Sequence, residues 1–162
     1  CIRFENCDYL AFLDVDEFYM STTMNVHTDI FNLDAPAIGI YWRIYGNPKP
    51  FETRQPVENY IHWYGDKHIK SILIPTFVKS FPDPQNAELR NVFSDLYIDE
   101  NKKKITSPTG VHTSNNIWIK HVFTRSRQEF AEKMERGDAN TRTKNRTWED
   151  FEHYNYLCIN LD

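Results

Sequence analysis

Apolar runs separated by polar clusters indicate that this chain alternates short strands with helices. The runs 9–13 and 69–74 predict buried strands. Residues 37–45, rich in Ile, Tyr and Trp, predict a third strand. Residues 116–123 alternate apolar and polar side chains, which is typical of a strand with two different faces. Residues 57–64 fit either a short helix or a strand.

Turn-forming residues mark the connections between these elements. Gly46-Asn47-Pro48 ends the third strand, and residues 48–56 are expected to form a loop. Residues 80–110 hold most of the proline and polar clusters. Within them, residues 96–105 predict a hairpin around a charged turn.

Two helices carry clear start signals. Ser126 can cap one helix, Glu129 completes a capping box three residues later, and Gly137 supplies a stop. Thr147 begins another helix, whose Phe151 lies among aromatic residues at helical spacing. Together with the strands, these helices predict an α/β protein.

The first apolar run stops at three acidic residues, Asp14, Asp16 and Glu17. In open α/β sheets, ligands bind at the carboxyl ends of strands, and we expect both aspartates to face solvent there. Carboxylate oxygens are the ligands that Mg²⁺ and Mn²⁺ prefer, and such an ion can hold a phosphate or diphosphate. A solvated acidic turn is the alternative, and for an isolated D-x-D motif it is the more common outcome.

Composition restricts the possible classes of function. The 162 residues are 40% hydrophobic and 15% aromatic, which is enough for a packed core. The net charge is −4 with both signs interspersed, so nothing in the charge pattern favours nucleic acid or an anionic membrane. Cys1, Cys7 and Cys158 form no C-x-x-C pair and are expected to be ordinary thiols. No stretch has the apolar length of a transmembrane helix.

Four sequence blocks follow one another in a fixed order. They are Leu13-Asp14-Val15-Asp16-Glu17-Phe18, Trp42-Arg43-Ile44-Tyr45-Gly46, His68-Ile69-Lys70-Ser71-Ile72 and the segment from Ser126 to Gly137, which is preceded by His121. This order and spacing resemble the family-92-type glycosyltransferases and their bacterial relatives in the family-2-like group. Those proteins read approximately L-D-x-D-E-F, W-x-x-Y/F-G, H-x-K-S-I and S-x-E-E-F-x-x-K-x-x-R-G. The resemblance runs from about residue 9 to residue 155.

The resemblance implies a mixed α/β sheet of the nucleotide-sugar glycosyltransferase A type. It also implies nucleoside-binding units ahead of the acidic motif. We therefore expect residues 1–162 to be the C-terminal portion of a larger catalytic domain, with weak or no activity alone. Residues 9–13 should then form an edge strand, and the helix is favoured for residues 57–64.

The activity implied by the resemblance is metal-dependent transfer of a sugar from a UDP-sugar, with galactose favoured, to a glycan or glycolipid acceptor. The expected cofactor is Mn²⁺ or Mg²⁺, and the expected stereochemistry is inversion. Such an enzyme works in the cytoplasm or at the membrane periphery of a bacterium or virus, or in the Golgi lumen of a eukaryote.

The resemblance assigns the metal site to Asp16 as a direct ligand and to Asp14 as a ligand through the ion, a water or the ribose of the donor. Sites of this kind often add one imidazole. We favour His112, which follows a glycine near the end of a loop. His121 is kept as an alternative ligand or as a contact to the diphosphate. A lone histidine is more often an ordinary core or surface residue, and that interpretation stays open for both.

Three cations are assigned to donor binding. Lys70 lies within an apolar strand, where a lysine either reaches solvent or meets an acidic group or a phosphate. Lys133 and Arg136 lie one turn apart on the capped helix and recur in the family block. For these two, a solvated cationic face is the alternative.

The acceptor is assigned to Trp42, Tyr45 and Gly46. Aromatic faces stack on sugars, and a glycine allows close approach of the backbone. Ordinary core packing is the alternative for these residues.

Inverting transfer also needs a general base for the acceptor hydroxyl. The carboxylates that follow Gly46 are Glu52, Glu58 and Asp66, and no motif distinguishes among them. We choose Glu58 as the catalytic base.

Two other functions fit the acidic motif. The haloacid-dehalogenase-like phosphatases also place D-x-D after an apolar strand and use the first aspartate as a nucleophile. Their motif has Thr or Val at the position where this chain has Phe18. The other alternative is a degenerate transferase domain that binds a sugar or a protein without turnover.

Overall fold

The computed structural model describes residues 7–83, 85–106, 108–110, 114–137 and 146–158. Along these residues, one helix follows the first two strands and two helices follow the last strand, and the protein is of the mixed α/β class. The strands are β1 (Leu10–Ala11), β2 (Glu17–Ser21), β3 (Ala37–Gly46), β4 (His62–Leu73), β5 (Val78–Asp83), β6 (Asn86–Leu89), β7 (Tyr97–Ile98) and β8 (Ile117–His121). The helices are α1 (Val26–Leu33), α2 (Arg127–Arg136) and α3 (Trp148–Leu157), with 3₁₀ turns at Val57–Asn59, Pro75–Phe77 and Asn91–Leu96.

The chain divides into two compact units. One unit consists of Cys1–Arg43 and Gly65–Lys120, and the other of Ile44–Tyr64 and His121–Asp162.

Most of the main sheet belongs to the first unit. Among the described residues, six strands form this sheet in the order β1-β4-β3-β8-β2, with β7 pairing in parallel with β3. At one edge, β1 runs antiparallel to β4, with Leu10 opposite Leu73 and Ala11 opposite Ile72. The expectation of an edge strand here is confirmed, but the prediction of a buried strand over residues 9–13 is wrong, because only Leu10–Ala11 form the strand and residues 11–13 are exposed. Because the pairing is antiparallel, the residues that follow β1 run towards the part of β4 that precedes Ile72.

Both faces of this sheet are buried in the first unit. Side chains alternate between the faces of a strand. Ile38 and Ile40 of β3 therefore pack into one cluster with Ile119, while Ala37 and Tyr41 enter a second cluster on the opposite face. Burial on both sides explains why β3 reads as a nearly continuous apolar run rather than a strict alternation.

The helices of the second unit begin where the sequence predicts. Ser126 and Thr147 each accept a hydrogen bond from the backbone of the third helical residue, and both capping boxes are complete. The rings of Phe130 and Phe151 are fully buried, and their centroids lie 5.0 Å apart. These two rings join α2 to α3.

Asn155 of α3 is a buried polar residue that makes several hydrogen bonds within the second unit. Its Oδ1 accepts hydrogen bonds from the Asn47 backbone N–H at 2.8 Å and from Thr124 Oγ1 at 2.9 Å. Its Nδ2 donates to the Phe151 carbonyl at 3.0 Å. A Cβ on Gly46 would lie 2.6 Å from Asn155 Oδ1. Any larger residue at position 46 would collide with Asn155, so the glycine is required for α3 to pack this closely against the end of β3.

Several predicted elements differ from the observed ones. The helix favoured for residues 57–64 is wrong beyond the 3₁₀ turn Val57–Asn59, because β4 already begins at His62. The hairpin expected at residues 96–105 is present as a bridge between Ile98 and Lys104. The sequence patterns did not predict β2, α1 or the β5–β6 hairpin.

We expect Asn155→Ala to lower the free energy of unfolding by about 2 to 3 kcal/mol, because it leaves a buried hydroxyl and a backbone N–H without their acceptor. Urea denaturation measures this loss. Asn101→Ala, at an exposed turn, is the matched control, with an expected change below about 0.5 kcal/mol. If both variants change the free energy of unfolding by a similar small amount, the hydrogen bonds of Asn155 do not stabilise the fold as proposed.

Candidate functional site

The acidic turn after β1 meets a buried lysine of β4. Lys70 Nζ lies 3.0 Å from Asp14 Oδ2 and 3.3 Å from Glu17 Oε2. The side chain of Lys70 is 3% exposed and that of Glu17 is fully buried, whereas the Asp14 side chain is 66% exposed. Of the alternatives left open for Lys70, which were solvent, an acidic group or a phosphate, the structure shows contact with acidic groups. The cluster has one carboxylate inside the protein and one at its surface.

Hydrogen bonds between the ends of the turn fix its shape. The Glu17 backbone N–H donates to the Asp14 carbonyl at 3.0 Å, and the Asp14 backbone N–H donates to Glu17 Oε2, also at 3.0 Å. As in a helix capping box, two residues three positions apart bond to each other. Here the Glu17 side chain closes the turn that holds Asp14 at the surface. Glu17 therefore positions both Asp14 and Lys70.

The buried position of Glu17 changes its acidity. Burial raises the pKa of the Glu17 carboxyl from 4.5 to about 6, while the Asp14 backbone N–H and the Lys70 ammonium act in the opposite direction. A carboxylate in this position is costly to ionise unless its counter-charge stays in place.

An aromatic ring and a histidine lie beside the lysine. The centroid of the half-buried Trp42 ring is 5.3 Å from that of His68 and 5.8 Å from Lys70 Nζ. Asp66 Oδ1 accepts hydrogen bonds from His68, 2.5 Å from Nδ1 and 2.8 Å from the backbone nitrogen. Residues from three of the four sequence blocks are thus close together in the first unit.

Asp16 differs from its prediction. It is 7% exposed, so the expectation that both aspartates face solvent is wrong for this one. The chain reverses between Asp14 and Glu17, and this reversal turns Asp16 inward while Val15 remains 85% exposed. Asp14 is therefore the accessible carboxylate of the pair.

The metal prediction depends partly on a residue that the structure does not describe. His112, the imidazole ligand that we favoured, lies outside the described residues. Within the described ranges, no group of three or more His, Cys, Asp and Glu side chains is arranged to hold a metal ion. The carboxylates of the acidic turn are compatible with Mg²⁺ or Mn²⁺, since these ions commonly take one or two carboxylates and complete their shell with water and substrate phosphate.

The other predicted residues belong to the second unit, and two of them are buried. His121 is 6% exposed, and its ring meets Phe123 edge-on at 5.6 Å. Lys133 is also buried, because its Nζ donates to the Phe123 carbonyl at 2.9 Å and lies 4.4 Å from the centroid of that ring. A solvated face therefore does not describe Lys133. Arg136 is exposed.

The residues predicted to bind the acceptor also include both buried and partly exposed side chains. Tyr45 and Gly46 are buried, and Gly46 faces Asn155 of α3, so local packing explains the glycine. Trp42 is half-buried beside Lys70. Glu58, the chosen base, is exposed on the 3₁₀ turn Val57–Asn59.

Sequence reasoning missed two members of the site. The sequence pattern makes Glu17 one member of an acidic run, whereas its reciprocal hydrogen bonds with Asp14 give it a different role. Asp66 was weighed only as a base, although it binds the histidine two residues further on. The D-x-H spacing within a strand was the available signal, because residues i and i+2 share a face.

The cysteines behave as expected where the structure describes them. Cys7 and Cys158 carry thiols that are not joined in a disulfide. Burial raises the pKa of the Cys158 thiol to about 12, so this side chain acts as a core residue.

Comparisons with protein-family models, curated proteins and solved structures give no match to this chain. The chemistry of the site must therefore be inferred from its own residues. Across the described ranges, no helix has both the length and the apolar character needed to cross a bilayer.

Glu17 makes stability depend on pH in a defined direction. The folded protein holds the Glu17 proton more tightly than the unfolded chain does, so this group stabilises the fold below about pH 4.5 and loses that contribution as the pH rises through about 6. The unfolding free energy of the wild type relative to Glu17→Gln should fall by about 2 kcal/mol across this interval.

Urea denaturation of both proteins at several pH values measures the difference. Glu135→Gln, at an exposed position of α2, is the control, and we expect it to change the unfolding free energy by less than about 0.5 kcal/mol throughout. If the wild type and Glu17→Gln keep a constant difference at every pH, the assignment of a raised pKa to Glu17 is wrong.

Proposed function

We propose that this chain carries the donor-side chemistry of a metal-dependent glycosyltransferase. It would move a sugar from a UDP-sugar to a glycan or glycolipid acceptor, with inversion, in a fold of the nucleotide-sugar A type. The main support is the contact of Lys70 with Asp14 and Glu17. It joins two of the sequence blocks across 56 residues of chain at the end of an apolar edge strand.

The reaction explains why acidic and basic groups should occur together. When the bond between the anomeric carbon and the diphosphate breaks, negative charge accumulates on the leaving diphosphate. A divalent ion bound there would stabilise that charge as a Lewis acid. Asp14 and Asp16 are the residues that would hold it, and the exposed carboxylate of Asp14 supplies the hard oxygen ligands that such an ion prefers.

Lys70 would act on the same charge from the protein side. Its ammonium has three donor hydrogens, and the contacts to Asp14 and Glu17 account for two donors. Because Glu17 holds it from the buried side, Lys70 is oriented before any ligand arrives. Orientation in advance is what makes a charged group effective in stabilising a leaving group.

The aromatic face beside Lys70 supports sugar recognition. Trp42 is half-buried, so part of its ring can accept the C–H face of a sugar. Tyr45 and Gly46 support acceptor binding less directly, because both are buried. Glu58 is exposed and remains our sequence-based choice of base.

The second candidate is a domain that binds the donor without turnover. It is kept because the described residues contain no group of three metal ligands, and a binding domain needs less of the catalytic constellation. The two candidates make the same prediction for binding and opposite predictions for transfer.

Calorimetric titration with UDP and Mn²⁺ tests the proposal, on a longer chain that also carries the nucleoside-binding units implied by the family resemblance. We expect the wild type to bind UDP only when Mn²⁺ is present, and Asp14→Asn to weaken that binding by at least about tenfold, or ~1.4 kcal/mol. Lys70→Met should weaken it similarly, provided that circular dichroism shows the variant to be folded.

Two matched controls keep the experiment specific. Asp8→Asn removes an exposed acid just before β1, and Lys67→Met removes an exposed lysine from the same strand as Lys70. Both should bind UDP and Mn²⁺ like the wild type. Equal binding by Asp14→Asn and Asp8→Asn would refute the donor site. Donor binding without release of the sugar, in a panel of UDP-sugars, would favour the non-catalytic candidate.

A further inference from the structure

Asp66 and His68 of β4 form a pair that the proposed donor site does not use. Asp66 Oδ1 is 2.5 Å from His68 Nδ1 and also accepts the backbone N–H of His68. The carboxylate is thus held by the backbone and in turn holds the ring. When Nδ1 donates its hydrogen to this carboxylate, the neutral imidazole carries its lone pair on Nε2.

The pair shares its strand face with Lys70. Side chains alternate between the two faces of a strand, so those at positions 66, 68 and 70 lie on the same face of β4. The ring of Trp42 confirms that proximity, because it lies within 6 Å of both the His68 ring and Lys70 Nζ. A proton acceptor and the ammonium of the proposed donor site therefore lie on one face of β4, and the half-buried ring of Trp42 from the neighbouring strand β3 lies close to both.

The imidazole is accessible as well as oriented. The side chain of His68 is 38% exposed and that of Asp66 is 22% exposed, so a ligand can reach the ring while the carboxylate remains partly covered. The backbone of His68 forms its own bridge with Thr109.

We propose that His68 is the general base of the transfer, with Asp66 as the residue that positions it. The inference rests on the proposed glycosyltransferase function. As the acceptor oxygen forms its bond to the anomeric carbon, His68 Nε2 takes the proton of that hydroxyl. The bond from the anomeric carbon to the diphosphate oxygen breaks, and its electron pair leaves with the diphosphate. The imidazolium then returns its proton to solvent.

The chemistry of the two candidate bases favours the histidine. An imidazole accepts a proton near neutral pH, whereas a carboxylate does so well only when its surroundings raise its pKa. Glu58 lies exposed on a 3₁₀ turn of three residues. His68 is fixed by an acidic partner, the arrangement by which an aspartate selects the tautomer of a catalytic imidazole.

The test separates this inference from the proposed function by measuring binding and transfer on the same variants, made in that longer chain. His68→Gln should bind UDP and Mn²⁺ within about twofold of the wild type and lose sugar transfer, to water or to a sugar hydroxyl, by about 100-fold or more. Imidazole in the buffer should restore part of the transfer by His68→Gly. His62→Gln, on the same strand, should transfer like the wild type.

Asp66 needs a readout that a purely structural residue would not change. Long-range ¹H–¹⁵N NMR spectra of the wild type should show the His68 proton on Nδ1, and Asp66→Asn should shift the population towards the Nε2–H tautomer and slow transfer at unchanged UDP binding.

Several results would overturn the inference. These are transfer by His68→Gln at the wild-type rate, an Nε2–H tautomer in the wild type, and a wild type that binds UDP and Mn²⁺ but never releases the sugar. A wild type that does not bind UDP and Mn²⁺ would instead refute the proposed function, and the role of the base with it.

Discussion

The buried ammonium of Lys70 is the constraint around which the first unit is organised. A lysine that is 3% exposed cannot remain charged without a partner, and Glu17 supplies a partner that is itself fully buried. To place Glu17 there, the chain must leave β1 after Ala11 and reverse, and the hydrogen bonds between Asp14 and Glu17 fix that reversal. The short first strand, the inward turn of Asp16 and the exposure of Asp14 all follow from this one ion pair.

The second unit depends on a neutral interaction instead. Asn155 accepts two hydrogen bonds and donates one within α3, and its close approach requires a residue without a Cβ at position 46. The glycine that ends the W-x-x-Y-G block therefore has a packing reason of its own. Lys133 is similar, since its ammonium is held by the Phe123 carbonyl and ring. Gly46 and Lys133 of this unit therefore have structural explanations that do not need a ligand.

Local signals predicted those parts of the molecule that local interactions determine. The two capping boxes, at Ser126 and Thr147, involve residues three positions apart, and both helices begin as predicted. The early part of β4 was misjudged, because pairing with neighbouring strands outweighs the ambiguous pattern of residues 57–64. At the site, the sequence identified Lys70 and the acidic turn as residues needing a partner. It could not show that Glu17 is the buried partner and Asp14 the exposed one, since that division depends on how the chain reverses.

The different positions of the two carboxylates, with Glu17 buried beside Lys70 and Asp14 exposed, decide whether such a site can bind a ligand. If Asp14 alone neutralised Lys70, turning its carboxylate towards a divalent ion would leave a buried charge without compensation, a cost of about 3 to 5 kcal/mol. Glu17 removes this conflict, because its carboxylate lies 3.3 Å from Nζ on the buried side and balances the ammonium when the Asp14 side chain binds an ion. The raised pKa of Glu17 is the cost of that arrangement. Once ionised, the buried carboxylate keeps the ammonium in place, and the exposed aspartate is thereby available to a ligand.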